Sequence, residues 1–248
     1  MVTFLKSRFA WVTAPVIFIV WSIILLCLWS THSPEWIQAH FDADGASPIE
    51  SATIGFFYLL IGLIWLVPAM RPSKRATFWK FDVSLVALIA ICRELDWHKM
   101  LVHASDLPGA THGTAFKMRF ITNPANPLSD RILVVLFFVV FFAVLGGTLI
   151  VFLPRLFKGL FKLHPVCWSI GFLGGTGILV NIFDRTPSIL RKKFDTVLTP
   201  PTEALMTAFE EGMELLLPIF AMVAILQAYR IYVAGADDDS HVAEWREI

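Results

Sequence analysis

Six stretches of the chain lack charge for long enough, or nearly long enough, to cross a bilayer. A hydrocarbon core about 30 Å thick needs about 20 apolar residues in helical form. Ala10–Ser30, Ser51–Met70, Ile132–Phe152 and Pro165–Phe183 are uncharged throughout. The last stretch is apolar from Leu215 to Ala228 but carries Glu203, Glu210, Glu211 and Glu214 before that. The third is marginal, with only Val83–Cys92 uncharged between Asp82 and Arg93. This pattern predicts an all-α, polytopic integral membrane protein. A single transmembrane domain over 1–248 is expected, a six-helix bundle with spans near 10–30, 51–70, 81–98, 132–152, 165–183 and 205–230.

Local signals refine the elements. Ala10–Ser30 is too long for the apolar core of a signal peptide and further spans follow, so it reads as an uncleaved first helix. His32–Glu50 reads as a polar loop without Lys or Arg, and Asp42-Ala-Asp-Gly45 as a turn within it. Ser47-Pro-Ile-Glu50 carries a helix start: Ser at the cap, Pro at the first position, Glu at the third. Ser188–Leu198, apolar at Ile189, Leu190, Phe194 and Val197 and basic at Arg191, Lys192 and Lys193, predicts a short amphipathic surface helix before the last span. Gly171-x-x-x-Gly175 predicts a close-packing face on the fifth span. The short, charged third span is expected inside the bundle, and the uniformly apolar fourth against lipid.

Composition agrees with the pattern. The chain is 56% hydrophobic and 16% charged, with mean hydropathy +0.68, where soluble domains carry about 25% charged residues. Twenty-two Phe and nine Trp fit lipid contact and interfacial belts. Three Cys, all in apolar segments, indicate no disulfide framework. The expected partner is membrane lipid, with no nucleic acid. Six spans place both termini on one side. The loop after the first span has no Lys or Arg, whereas the next short loop holds Arg71, Lys74, Arg75 and Lys80. The positive-inside rule then gives N-in and C-in, in the plasma membrane (the inner membrane if bacterial).

That orientation gathers the ionisable residues in the outer leaflet. Glu50, the run Arg93-Glu-Leu-Asp-Trp-His98, Asp130 with Arg131, Asp184 with Arg185, and the four acids of the last span all fall at outer helix ends. At 100° per residue, Glu203, Glu210 and Glu214 lie within about 40° of one another, with Glu211 on a neighbouring face. A carboxylate at the bilayer centre costs roughly 2.5–3.5 kcal/mol on insertion scales, so such a stripe needs partners. Pro218 has no N–H for the Glu214 carbonyl and frees an acceptor beside it.

Glu94 and His98 share a helix face at i,i+4, and Glu210 and Glu214 repeat that spacing. These four are the candidate catalytic residues and the candidate ligands of a divalent metal, with Glu50, His103 or His112 able to complete the set. Carboxylate with imidazole suits zinc, iron or manganese. Arg93, Arg131 and Arg185 are candidates for a substrate phosphate, because guanidinium matches phosphate bidentately. The bland alternative pairs these acids and arginines with one another, with Glu50 a helix cap and the loop histidines solvated.

Three functions fit. The first is a membrane-embedded enzyme, a hydrolase or transferase with or without metal, acting on a lipid-like or lipid-linked substrate at the outer leaflet. The second is a proton- or cation-coupled transporter with the same acids as relay. The third is a non-catalytic membrane protein held together by structural ion pairs.

Overall fold

The computed structural model of this chain describes residues 9–42, 47–67, 74–95 and 118–234. Asp96, His98, His103 and His112, together with Arg71 and the Ala43–Gly45 part of the expected turn, lie outside the described residues. Those described are helical nearly throughout. After a 3-10 turn at Ala10–Val12 come α1 (Thr13–Thr31), α2 (Pro34–Phe41), α3 (Pro48–Leu66) and α4 (Lys74–Glu94). Then follow α5 (Met118–Thr122), α6 (Leu128–Phe161), α7 (Pro165–Phe194), α8 (Pro200–Tyr229) and a π turn at Arg230–Ala234. Among the described residues, four segments are long and apolar enough to cross a membrane: Ala10–Thr31, Pro48–Leu66, Pro165–Phe194 and Pro200–Tyr232.

The chain forms two compact units, one of residues 1–87 and 155–248, the other of 88–154. In the first, α8 is the centre and packs against α1, α2, α3 and α7. Water drives no association between helices in lipid, so such contacts depend on close packing and hydrogen bonds. Both are present. Ala204, Ala208 and Gly212 recur at four-residue intervals on α8 and are buried, which leaves a smooth groove along that helix. Trp21, Leu25 and Trp29 recur at the same interval on α1 and form the ridge that fits it. The Trp21 indole N–H donates to the Gly212 carbonyl at 2.7 Å, and that of Trp29 to the Pro201 carbonyl at 2.8 Å. A Cβ at Gly212 would stand 2.5 Å from Leu25 Cδ2.

The expected small face of α7 does not pack in this way. Among the described residues, nothing lies within 4 Å of a Cβ built at Gly174 or Gly175, and Gly171 approaches only Leu160. α7 meets α8 through larger groups instead. Phe172 packs at a tilt against Phe220 with centroids 5.8 Å apart, and Phe183 against Phe209 at 5.4 Å. Phe172 also reaches Phe18 of α1 at 5.6 Å. At the far end, Gln227 is fully buried. Its amide donates to the Ala10 carbonyl at 3.1 Å and accepts from the Ser169 hydroxyl at 2.7 Å. One polar side chain thus clamps three segments where an unpaired amide would be costly.

Two expectations about elements are corrected. The stretch read as a polar loop contains α2. Ser33 caps it by accepting from the Trp36 N–H, Pro34 opens it, and Ile37 and Phe41 at i,i+4 bury their side chains in the core around α8. Ser188–Leu198 is not a separate helix. α7 runs through Pro187 to Phe194 and stops where Asp195 takes a left-handed conformation at φ 48°. Pro187 leaves the Phe183 carbonyl without its usual helical donor, and the helix tolerates this.

In the second unit, Asn126 donates from its side chain to the Phe120 carbonyl at 2.7 Å, and Arg131 Nε to the Ile121 carbonyl at 2.7 Å. These bonds fix the turn between α5 and α6. α4, which runs from the first unit into the second, exposes Phe81, Val83, Leu85 and Leu88 and buries Asp82, Ala87 and Ile91. α6 exposes Ile132, Leu136, Val139 and Phe142 and buries Val134.

Candidate functional site

The helices of the first unit are arranged so that one end collects its acids. α7 runs antiparallel to α8, with the pairs Ser169–Gln227 and Phe183–Phe209 marking opposite ends. The bond from Trp29 to Pro201 brings the C-terminus of α1 to the N-terminal end of α8. α2 and the start of α3 pack there as well.

At this end Asp42, Glu50 and Glu211 each offer a carboxylate oxygen, and the three oxygens lie within 4.8 Å of one another. Each is held by a different local device. Asp42 is the C-cap of α2, with its backbone N–H on the Gln38 carbonyl. Glu50 completes a capping box at the start of α3. Its Oε2 accepts from the Ser47 N–H at 3.1 Å, and the Ser47 hydroxyl accepts from the Glu50 N–H at 3.1 Å. Ser47 is itself buried and donates its hydroxyl to the Phe41 carbonyl at 3.0 Å, which ties α2 to α3. Glu211 is half-buried on α8, immediately before the glycine that receives Trp21. Glu50 thus serves both as the helix cap and as a member of the cluster.

Three carboxylate oxygens at this separation can all reach one cation placed among them. The donor set is all oxygen. Oxygen-only sites suit hard cations such as magnesium, calcium or manganese better than zinc.

The sequence-predicted residues are distributed as follows. Glu210 is half-buried and Glu214 buried on α8, one turn apart, with Pro218 buried a turn further on. Glu203 is exposed. Glu94 ends α4 in the other compact unit, and its i,i+4 partner His98 lies outside the described residues. Of the arginines, Arg131 is committed to the Ile121 carbonyl, Arg93 is exposed at the end of α4, and Arg185 is exposed on α7. The sequence reading places Asp42 in a turn and Glu211 on a face neighbouring that of Glu203, Glu210 and Glu214. The signal for Asp42 is the Ser33-Pro-Glu35 helix start, which puts it at a helix end rather than within a loop.

A shallow groove of about 260 Å³ opens between α1 and α8, lined by Val16, Ile17, Val20, Trp21, Leu216 and Ile219. It offers no polar group to a substrate and takes no part in the acidic centre. Glu35, at the start of α2, has its carboxyl held below the usual range by its own backbone N–H and by the Ser33 hydroxyl.

Fold and site together define an all-helical protein with four candidate membrane-spanning helices and a carboxylate cluster at one end of the unit they build. Comparison with known protein families, curated proteins and solved structures finds no match.

Proposed function

We propose that this chain is a six-span integral membrane protein, N-in and C-in, whose acidic centre at the outer end of α8 binds a divalent cation. The centre acts as a membrane-embedded hydrolase or transferase on a lipid-like or lipid-linked substrate. The observation that carries this reading is the convergence of Asp42, Glu50 and Glu211 within 4.8 Å. The three come from three separate helices or helix ends, next to an otherwise apolar bundle. A cation held there would polarise a phosphoryl or carbonyl oxygen, or lower the pKa of a bound water. Glu214, about one turn beyond Glu211 on the same helix, and Glu210, beside Glu211 in sequence, would be the groups to move a proton. The transporter alternative is less well supported, because the other end of the first unit is closed by the Gln227–Ser169–Ala10 clamp.

The test is metal content. Protein purified in detergent and dialysed against manganese or magnesium should retain close to one equivalent, and Glu211→Gln should retain far less. Equal retention by wild type and variant, or none by either, removes the cation-binding reading.

A further inference from the structure

α7 is longer than a membrane requires. Its 30 residues span about 45 Å at 1.5 Å per residue, against a hydrocarbon core of about 30 Å. Pro165–Phe183 carries no charge, so the last turns, from Asp184 onward, stand at the headgroup level. One face of the helix runs across this boundary. Ile178, Ile182, Arg185, Ile189 and Lys192 follow one another at alternating intervals of four and three, within about 80° of arc. All five are exposed: Ile178 by 64%, Ile182 by 52% and Ile189 by 44%, with Arg185 and Lys192 likewise open. Lys193 stands beside the stripe and is also exposed. Neither Arg185 nor Lys192 forms a salt bridge to a described residue. Asp184 lies about 120° round the helix from the stripe's centre, and Asp195 lies beyond the helix end.

We propose that this stripe binds a phospholipid with an anionic headgroup. The acyl chain lies along Ile178 and Ile182, and the phosphate sits between Arg185 and Lys192. Their Cα atoms are about 10 Å apart along the axis, so both side chains can bend to one phosphate. Arg185 offers the bidentate fork and Lys192 a point charge. Ile189 between them keeps the glycerol region on apolar surface. Charge complementarity selects the occupant. A zwitterionic lipid brings a choline or ethanolamine cation up to an already basic surface, whereas an anionic headgroup does not. The site is separate from the carboxylate cluster and does not depend on its having a catalytic role.

Native mass spectrometry of the full chain, released from detergent in the presence of phosphatidylglycerol or phosphatidylcholine, tests this. Wild type should retain phosphatidylglycerol in preference to phosphatidylcholine. The double variant Arg185→Gln/Lys192→Gln should lose that preference, by about fivefold for each basic residue removed. Arg185→Lys/Lys192→Arg should keep it. Lys158→Gln/Lys162→Gln, which removes two exposed basic residues elsewhere in the same unit, should leave it unchanged. Excess inorganic phosphate should not strip the lipid, since the acyl contacts hold it. The proposal is overturned if the glutamine pair retains the wild-type preference, if the Lys158/Lys162 control loses as much, or if phosphate alone displaces the lipid. Should the glutamine pair fail to fold, Lys192→Gln alone decides by the same criterion.

Discussion

Trp21 donates its indole N–H to the Gly212 carbonyl at 2.7 Å, and the glycine is what allows the two helices to come that close. Leu25, one turn along α1, is fully buried and lies over the same glycine. Any side chain at 212 must displace both contacts. Gly212→Ala should therefore destabilise the protein by about 1–3 kcal/mol, despite the better helix propensity of alanine. Gly212→Val should cost more. Thermal unfolding in detergent measures this. Leu25→Ala combined with Gly212→Ala should destabilise less than the sum of the two single changes, because the cavity receives the new methyl. Strict additivity would mean that the two residues do not share this space.

Glu50 has two roles that can be separated. Glutamine can still accept from the Ser47 N–H, so Glu50→Gln should preserve the start of α3 and leave stability within about 0.5 kcal/mol. It should nevertheless remove most cation retention at the Asp42–Glu50–Glu211 cluster. Glu50→Ala should lose the cation and about 1 kcal/mol of stability together. Paired melting curves and metal analysis distinguish the two outcomes. A full complement of cation in Glu50→Gln would show that the cluster does not use this carboxylate.

Gln227 should behave as a buried polar clamp. Gln227→Leu leaves the Ser169 hydroxyl and the Ala10 carbonyl with one partner fewer, and should cost about 1–3 kcal/mol. Removing the hydroxyl as well, in Ser169→Ala/Gln227→Leu, should recover part of that loss. The comparison is made by melting temperature, and a double variant worse than Gln227→Leu alone would contradict it.

The orientation is open to a direct test. Reporter fusions at residues 40 and 75 should fall on opposite sides of the membrane, with residue 75 cytoplasmic. The reverse result would move the carboxylate cluster to the inner leaflet and remove the outer-leaflet substrate from the proposal.

Much of the helical framework was legible because long apolar runs leave little alternative to helix. The errors have identifiable physical causes. α2 was missed because its polar face (Glu35, Gln38 and His40) dominates an eight-residue segment. Yet Ser33-Pro34-Glu35 resembles the start that was recognised at Ser47-Pro48. The fifth span is expected from the sequence to end at Asp184-Arg185, where charge begins, but charge ends an apolar run without ending a helix, and the helix continues through Pro187 to Phe194. The close-packing seam was sought among the glycines of α7, whereas it lies at Ala204, Ala208 and Gly212. Alanine carries the same message more quietly, and the matching ridge sits some 180 residues earlier in the chain. Glu211 could not be assigned by helical periodicity alone. Periodicity says which residues share a face of α8, but not which face looks toward α2 and α3.

The central position of α8 also has a consequence for biosynthesis. α1, α2, α3 and α7 all pack on a helix that leaves the ribosome after they do. Until it arrives, the indoles of Trp21 and Trp29 have no carbonyl to meet, and Ser169 has no amide. Asp42 and Glu50 stand on elements that the Ser47 hydroxyl already ties together, whereas Glu211 comes with α8, so the core and the carboxylate cluster are both completed by the last helix to be made.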